Sequence, residues 1–161
     1  PVPEMTFSLA AGLNWKGIDF SILLQGAARS SIYLQQDIAW DNFWGNYYEE
    51  HIGRWTPETA ATATYPRFTK AATAAHPNYY KSDYWLKDSK YLRLKNIQLG
   101  YTIPRKLLKK FGVRSLRVYA NAYNLFTWDN VKKVDPESSN NSNGQFYPQQ
   151  KVINFGINLN F

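Results

Sequence analysis

The amino-acid sequence predicts an all-β chain that forms part of a membrane β-barrel. Five segments alternate apolar and polar side chains with a period of two, which is typical of strands with two different faces. The connections between these segments alternate short and long, as periplasmic turns and external loops do in outer-membrane barrels. Phe, Trp and Tyr together make up 17% of the residues, a composition that suits strands and interfacial girdles.

The first two strands are predicted at residues 4–15 and 17–27. Apolar side chains occupy the odd positions from Met5 to Trp15, with small or polar residues between them. Lys16-Gly17 supplies the turn, since glycine tolerates a positive φ. These two segments therefore form a tight hairpin.

The alternation stops in residues 28–88, which are predicted to form a long external loop. A rough helical pattern runs from Ser30 to Gly45 through Ile32, Leu34, Ile38 and Trp40, so the loop is expected to be partly helical. An excursion of this length must bury apolar side chains to stay ordered.

Three further strands are predicted at residues 90–103, 115–128 and 150–161. The apolar register changes between Leu94 and Ile97, which indicates a bulge. Residues 104–114 form a short periplasmic turn, in which one helical turn begins with a proline and stops at a glycine. Residues 129–147 form the second external loop.

The strand count and the loop lengths predict how the chain is placed. If the long loops are external, the last strand runs from the external side towards the periplasm, and its C-terminus lies in the periplasm. Five strands are too few for closure, which needs about eight. The sequence opens on Pro1 with no secretory signal, and it is interpreted as a C-terminal fragment of a longer barrel.

Composition argues against several function classes. The chain has no Cys, which excludes thiolate catalysis and Cys-ligated metal sites. Its two His lie 25 positions apart, so a metal site based on them would need ligands from distant parts of the chain. His51 lies beside Glu49 and Glu50 without a nucleophile pattern, so no enzyme activity, metal or cofactor is expected. The acids Asp129, Asp135 and Glu137 lack the order of a calcium loop.

The net charge of +7 has a local explanation. Its strongest cluster lies within the single turn at residues 104–114 and comprises Arg105, Lys106, Lys109, Lys110 and Arg114. A nucleic-acid site would need these bases on a broad face with stacking aromatic rings. We therefore expect a solvated turn near lipid headgroups and no nucleic-acid partner.

Several long motifs resemble one known family. The run YLRLKNIQLGYTIP at residues 91–104 is similar to the YLRLKNIxLGYTLP segment of SusC/RagA-type TonB-dependent transporters. Further similar pieces follow in the family's order and cover nearly the whole chain: Arg54-Trp55-Thr56-Pro57-Glu58, Tyr65-Pro66-Arg67, Leu116-Arg117-Val118-Tyr119, Asn124-Leu125-Phe126-Thr127-Trp128, Asp135-Pro136-Glu137 and the terminal strand ending at Phe161.

This resemblance implies a 22-stranded outer-membrane barrel of which the chain supplies the last five antiparallel up-and-down strands. It also implies an N-terminal plug that contacts TonB, a SusD-like surface lipoprotein as partner, and import of glycans or peptides in Bacteroidota. The plug lies outside the present sequence. Two alternatives stay open: a soluble aromatic-rich β domain that binds carbohydrate, and a siderophore-type TonB-dependent receptor.

Two groups of residues are candidates for contacts. Aromatic side chains of the long loop are expected either to contact substrate or the lipoprotein lid, or to form the loop's own core: Trp40, Trp44, Trp55, Tyr47 and Tyr48. Polar side chains on the lumen face are expected to bind the plug or to touch substrate: Asn96, Gln98, Arg117, Tyr119, Asn121 and Tyr123.

The opposite face is expected to contact outer-membrane lipid through Phe7, Leu9, Phe20, Ile22, Leu99, Tyr101, Phe155 and Ile157. Girdle residues are predicted at the periplasmic ends of the strands (Trp15, Tyr101, Ile103 and Phe161), with Trp128 at the external level. The terminal residues Phe155, Ile157, Leu159 and Phe161 resemble the signal that the barrel-assembly machinery recognises, by pairing of an exposed edge strand.

Overall fold

The computed structural model describes residues 2–36, 39–42, 45–70, 76–131, 134–138, 147 and 149–161. The chain divides into two compact units. The sheet unit comprises residues 2–30, 90–129 and 149–161, and the loop unit comprises residues 31–89 and 130–148. No helix in the described residues is long and apolar enough to cross a membrane.

The sheet unit contains one antiparallel sheet of five strands within its described residues. These strands are β1 (Met5–Trp15), β2 (Ile18–Ala28), β5 (Tyr91–Thr102), β6 (Ser115–Asp129) and β7 (Val152–Asn160). Each strand pairs with its sequence neighbour in the sheet, in the order β1-β2-β5-β6-β7. The predicted up-and-down meander is therefore confirmed, with strand ends within two residues of the predicted ones.

Two irregularities interrupt the pairing of β5 with its neighbours. The register shifts between Leu23 and Leu24 on β2 and between Leu94 and Asn96 on β5. The extra residue explains why the apolar positions of β5 change parity between Leu94 and Ile97. The bulge is where the sequence pattern places it.

The two short connections have the local structure that their residues favour. Lys16 and Gly17 both have positive φ, as a two-residue hairpin turn requires. After β5, a helical turn spans Arg105–Leu108, continues as a 3-10 turn at Lys109–Phe111 and ends at Gly112. The basic side chains of this connection are exposed, as predicted for a solvated turn.

The pairing register places the predicted lipid-facing residues on one face of the sheet. Row by row, Leu13, Phe20, Leu99, Ala120 and Phe155 lie opposite one another across all five strands. Six of the eight predicted residues are at least 40% exposed, namely Phe7, Leu9, Leu99, Tyr101, Phe155 and Ile157, while Phe20 and Ile22 are half-buried. The sheet therefore carries a continuous apolar face.

The two predicted girdle tryptophans lie at opposite ends of the sheet. Trp15 pairs with Ile18 beside the short turn, whereas Trp128 pairs with Leu92 near the start of β5. Both rings are more than half exposed. The strand directions on which the girdle prediction rests are thus consistent with the register. Ile103 follows β5, and its N–H donates to the carbonyl of Leu116.

The loop unit is built from short elements around its own core. Strands β3 (Ser31–Tyr33) and β4 (Leu86–Asp88) pair antiparallel, and 3-10 turns occupy Glu49–Gly53, Pro77–Tyr79 and Asp83–Trp85. The helical pattern predicted from Ser30 to Gly45 is wrong at its start. Ile32 and Leu34 are two residues apart and both are buried. The backbone there is extended, and side chains two residues apart in an extended chain lie on the same side. Ile38 of that pattern lies outside the described residues.

Candidate functional site: the polar face of the sheet and the aromatic loop unit

The polar face of the sheet carries the predicted lumen residues in adjacent cross-strand rows. One row runs Asp19, Gly100, Tyr119 and Gly156, and the next runs Ser21, Gln98, Asn121 and Asn154. Asn96 and Tyr123 are paired in a third row, and Thr102 and Arg117 in a fourth. Strand alternation alone therefore brings all six predicted lumen residues to one side of the sheet.

An ion pair crosses the middle strand of this face. The Nε of Arg117 donates to Oδ2 of Asp19 at 2.8 Å, and its Nη2 lies 2.5 Å from Oδ1. The two residues belong to β6 and β2, with β5 between them, and a Cβ at Gly100 would lie 2.5 Å from both groups. Because Gly100 has no side chain, the pair can bridge the strands directly over its backbone.

Tyr119 lies beside this ion pair and covers a second glycine. The guanidinium of Arg117 is 4.7 Å from the centre of the Tyr119 ring. A Cβ at Gly156, the cross-strand partner of Tyr119, would overlap the phenol ring. Asp19, Arg117 and Tyr119 therefore form one connected group on this face, which extends over four strands. Gln98 is also hydrogen-bonded to Asp19.

The neighbouring rows offer acceptors to a ligand or a further part of the protein. The Nδ2 of Asn121 donates to the Tyr123 hydroxyl at 3.3 Å. The side-chain oxygens of Asn96 and Asn121 are buried without a hydrogen-bond partner among the described residues. A buried amide oxygen without a partner costs free energy, so these two atoms favour an N–H or O–H donor on this face.

The structure adds one residue of this face that the sequence analysis missed. Arg93 is 1% exposed, and its Nε donates to the Thr127 hydroxyl at 3.0 Å. Its guanidinium also lies 5.5 Å from the centre of the Tyr91 ring. The available signal was its place on the polar face of β5, two residues before Lys95, the extra residue of the bulge.

The loop unit has an aromatic core that includes one of the predicted contact residues. Trp40 is 4% exposed and packs on Tyr79 with ring centres 4.6 Å apart. The buried members of this core are Ile32, Leu34, Ala39, Trp40, Tyr65, Tyr79, Trp85 and Val131. The expectation that the loop's rings form their own core thus describes Trp40.

A buried carboxylate joins three segments of this core. Asp41 is 1% exposed, and its carboxylate accepts from the Thr69 N–H at 2.9 Å and from the hydroxyls of Tyr65 and Tyr79. The Tyr65 hydroxyl also donates to the Ala39 carbonyl at 2.9 Å. Burial raises the pKa of both tyrosines well above the usual range, and the neighbouring Asp41 charge raises each pKa further.

His51 has a structural environment. It is 2% exposed, its Nδ1 accepts from the Tyr48 N–H at 3.0 Å, and its Nε2 lies 3.3 Å from the Ala39 carbonyl oxygen. The Tyr65 ring lies 4.5 Å away, centre to centre. Both imidazole nitrogens are therefore used to hold the turn at Glu49–Gly53 against the core.

The remaining predicted loop aromatics lie at the surface of the loop unit. Tyr47 and Trp55 are 56% and 39% exposed, and Tyr48 is comparably exposed. Tyr47 packs edge-on against His51, and Arg54 lies 4.9 Å from the centre of the Phe68 ring. Trp44 lies outside the described residues. Three of the five predicted contact residues are thus placed where a partner or a ligand can reach them.

An open cleft of about 340 Å³ lies in the loop unit beside the Trp40–Tyr79 stack. Its described lining combines aromatic and polar side chains: Tyr33, Trp40, Tyr79, Tyr80, Gln35, Gln36 and Lys81. Gln36 has a positive φ, and its carbonyl accepts from the N–H groups of Ala39 and Trp40. The turn that buries Trp40 therefore also positions Gln36 at the cleft.

The described residues hold no group of three or more His, Cys, Asp or Glu side chains arranged to bind a metal ion. The Asp135 carboxylate accepts from the backbone N–H of Glu137 at 2.9 Å, which is a local turn contact.

The end of the chain lies on an edge of the sheet. Within the described residues β7 pairs only with β6. Its apolar side chains are exposed at Phe155, Ile157 and Leu159, and Phe161 follows at 75% exposed. One edge of this strand is therefore open to pairing with a further strand.

Comparison with known proteins identifies related sequences over the full chain. No family model matches. The chain is 29% identical to TonB-dependent receptor P26 of Formosa agariphila, covering 100% of this chain and 17% of that protein. It is 25% identical to TonB-dependent receptor SusC of Bacteroides thetaiotaomicron, again over 100% of the chain and 15% of that protein. Its homologues are thus TonB-dependent receptors, and it spans about one sixth of their length.

Solved structures give the same fold. The chain matches the RagAB peptide transporter with a TM-score of 0.77 at 24% identity, over 98% of this chain and 17% of the other. It matches the open-open state of the RagAB peptide importer with a TM-score of 0.73 over 99% of this chain. The sheet therefore has the fold of one part of a TonB-dependent β-barrel.

Proposed function

We propose that this chain is a wall segment of a SusC-type TonB-dependent importer in the outer membrane. The full protein would take up glycans or peptides together with a SusD-like lipoprotein, and would receive energy from TonB through its plug. The observation that carries this proposal is the exposed apolar face across all five strands, opposite a polar face with an ion pair and buried amides.

Lipid is the partner that best fits the apolar face. Leaving one large apolar side chain in water forgoes about 1.5–3 kcal/mol, and six of the predicted residues are at least 40% exposed. Soluble monomers rarely expose a continuous apolar patch of this kind. Contact with lipid hydrocarbon removes these side chains from water on every strand, so no second layer of protein is needed to cover them.

The polar face would form part of the barrel lumen. Its ion pair, its tyrosine rings and the buried oxygens of Asn96 and Asn121 offer hydrogen bonds to the plug or to passing substrate. We assign the six residues Asn96, Gln98, Arg117, Tyr119, Asn121 and Tyr123 mainly to holding the plug. A plug segment would supply the donors that both amide oxygens require.

The exposed rings of the loop unit would contact the SusD-like lid or the substrate. Tyr47, Tyr48 and Trp55 surround the turn that His51 fixes, so their backbone is held while their rings remain accessible. Aromatic side chains of this kind dominate protein interfaces and stack on sugar rings. Trp40 would act differently, as a core residue that supports this surface.

The orientation follows from the connections. The basic turn at residues 104–114 and the C-terminus would lie in the periplasm, with the loop unit outside. The open edge of β7 and its exposed side chains up to Phe161 would pair with the barrel-assembly machinery during insertion and with another strand of the barrel afterwards. The homologues are receptors, and we propose no enzymatic step for this chain.

Uptake by the full-length receptor tests the proposal. Cells that express it should accumulate labelled glycan or peptide from a defined panel, and deletion of tonB should abolish accumulation. Replacing Tyr47, Tyr48 and Trp55 by Ala should reduce uptake without changing the amount of receptor at the surface. Leu86→Ala, which removes a 48% exposed apolar side chain from β4, serves as the matched control. TonB-independent accumulation would contradict the proposal.

A further inference from the structure

One wall of the cleft in the loop unit is formed by a buried aromatic stack. The buried rings of Trp40 and Tyr79 lie at 30° to each other with centres 4.6 Å apart, and both line the cleft. The Tyr79 hydroxyl donates a hydrogen bond to the buried Asp41 carboxylate and lies 3.2 Å from the Thr69 hydroxyl. Packing and hydrogen bonds therefore hold this wall in place before any ligand arrives, which lowers the entropy cost of binding.

The rim of the cleft carries two glutamine side chains, and the backbone of one of them is held by hydrogen bonds. Gln36 has a left-handed backbone conformation, φ +50, and its carbonyl accepts two backbone hydrogen bonds at 3.1 Å and 2.9 Å. Gln35 precedes it, and both residues line the cleft. A primary amide both donates and accepts, so two of them match a ligand whose hydroxyl groups also do both.

The single charged residue among the described lining residues is basic. Lys81 is exposed, follows the 56% exposed ring of Tyr80, and faces no carboxylate among the described residues that line the cleft. An ammonium group at this position favours a ligand with a negative charge. It disfavours a cationic group on the same ligand.

We propose that this cleft binds an acidic sugar residue, one that carries a carboxylate or a sulfate ester, in a glycan taken up by the receptor. The exposed ring of Tyr80 packs on the apolar face of the sugar ring, the amides of Gln35 and Gln36 form hydrogen bonds with its hydroxyls, and Lys81 pairs with its charge. A volume of 340 Å³ is at the small end of the range for ligand sites and suits one or two sugar rings.

This inference rests on the proposed import function and narrows its substrate class. A basic peptide is the less suitable occupant, because its free amino end and its Lys and Arg side chains would meet Lys81 with no acidic residue in the described lining to pair with them. A sugar acid presents ring, hydroxyls and charge together, which is the combination that the lining offers.

Binding to the full-length receptor in detergent micelles tests the inference. The probes are neutral galactan oligosaccharides, oligogalacturonates, sulfated carrageenan oligosaccharides and a tryptic peptide mixture. Lys81→Gln should weaken binding of an acidic oligosaccharide about tenfold, the usual worth of a hydrogen bond to a charged group. Binding of a neutral oligosaccharide should change less than about twofold, as expected for a site that has lost only its charge. Lys70→Gln, an exposed lysine outside the described lining, is the control.

A second variant tests the amide rim. Gln36→Gly keeps the positive φ and removes only the side chain, so it should weaken acidic and neutral oligosaccharides alike. The carboxylated and sulfated probes distinguish the two sources of negative charge, and tighter binding of either supports the inference.

Four outcomes would overturn the inference: equal binding to wild type and Lys81→Gln, a preference for neutral oligosaccharides, binding of peptides that depends on Lys81, or binding of none of the probes. TonB-dependent uptake of glycans that is insensitive to Lys81→Gln would overturn this inference alone. Absence of any TonB-dependent uptake would overturn the proposed function itself.

Discussion

Replacing the buried Asp41 should open the loop unit locally while leaving the sheet intact. Asp41→Ala removes the acceptor of the Thr69 N–H and of the Tyr79 hydroxyl, and one of two acceptors of the Tyr65 hydroxyl. With a net loss of about 1 kcal/mol for each of three buried hydrogen bonds, the loop unit should lose about 3 kcal/mol. That corresponds to about a hundredfold increase in its open population.

Hydrogen–deuterium exchange of the full-length receptor measures this opening directly. Amides of Trp55 and Tyr65, which are bonded within the loop unit at 2.9 Å and 3.0 Å, should exchange about a hundredfold faster in Asp41→Ala. Amides of β5 and β6 should exchange at the wild-type rate. Asp83→Ala, which removes an exposed acid from the same unit, provides the control.

The conservative variant separates hydrogen bonding from charge. Asp41→Asn keeps one oxygen for the tyrosine hydroxyls but presents an NH2 group to the Thr69 N–H, so its exchange should fall between wild type and Asp41→Ala. Unchanged or slower exchange in Asp41→Ala would refute the reasoning. It would mean that the cost of burying the carboxylate exceeds what its hydrogen bonds return.

Three further predictions concern the two faces and the end of the chain. Phe155→Arg, near the middle of β7 and 83% exposed, should destabilise insertion by about 2–4 kcal/mol, whereas Asn154→Arg on the polar face should be tolerated; folded receptor in outer-membrane fractions reports both. Because Tyr65 and Tyr79 have raised pKa values in the folded loop unit, only its unfolded form should lose these protons above about pH 10. The contribution of these two tyrosines to stability should therefore be constant below that pH and be lost above it, less steeply in a Tyr79→Phe variant, as measured by exchange rates corrected for the intrinsic rate at each pH. Deletion of Phe161 should lower the surface amount of receptor but leave uptake per molecule near the wild-type value; normal abundance would remove the assembly role.

The sheet could be predicted from the sequence because its information is local and periodic. Each strand carries its own alternation, so the apolar face containing Leu99 and Phe155 could be read without knowledge of strand pairing. Even the bulge after Leu94 leaves a sequence trace, since one extra residue shifts every later apolar position to the other parity.

The contacts of the polar face could not be read in the same way. Arg117 and Asp19 are 98 residues apart, and their pairing depends on the register of two intervening strand pairs and on the missing side chain of Gly100. Alternation places both residues on one face but says nothing about which rows are adjacent. The burial of Arg93 likewise depends on tertiary packing rather than on its own segment.

The loop unit was the least predictable part because its order comes from contacts between short irregular segments. Trp40, Tyr47 and Trp55 are all large aromatic residues within one stretch of the loop, yet the first is buried and the other two are exposed. Asp41 carries no motif, and its role appears only where residues 65–69 and 79 meet it. The apparent helix from Ser30 failed because a spacing of two and a spacing of four cannot be separated in so short a run.

Single-cysteine labelling along β7 tests the central claim, contact of the apolar face with lipid, most directly. The chain contains no Cys, so one can be placed at each position from 153 to 158 in a full-length receptor free of other accessible cysteines. In outer membranes, a lipid-soluble maleimide should label positions 153, 155 and 157, and a membrane-impermeant maleimide should label none of these three. Labelling of 153, 155 and 157 by the water-soluble reagent, or loss of the two-residue period, would contradict the account.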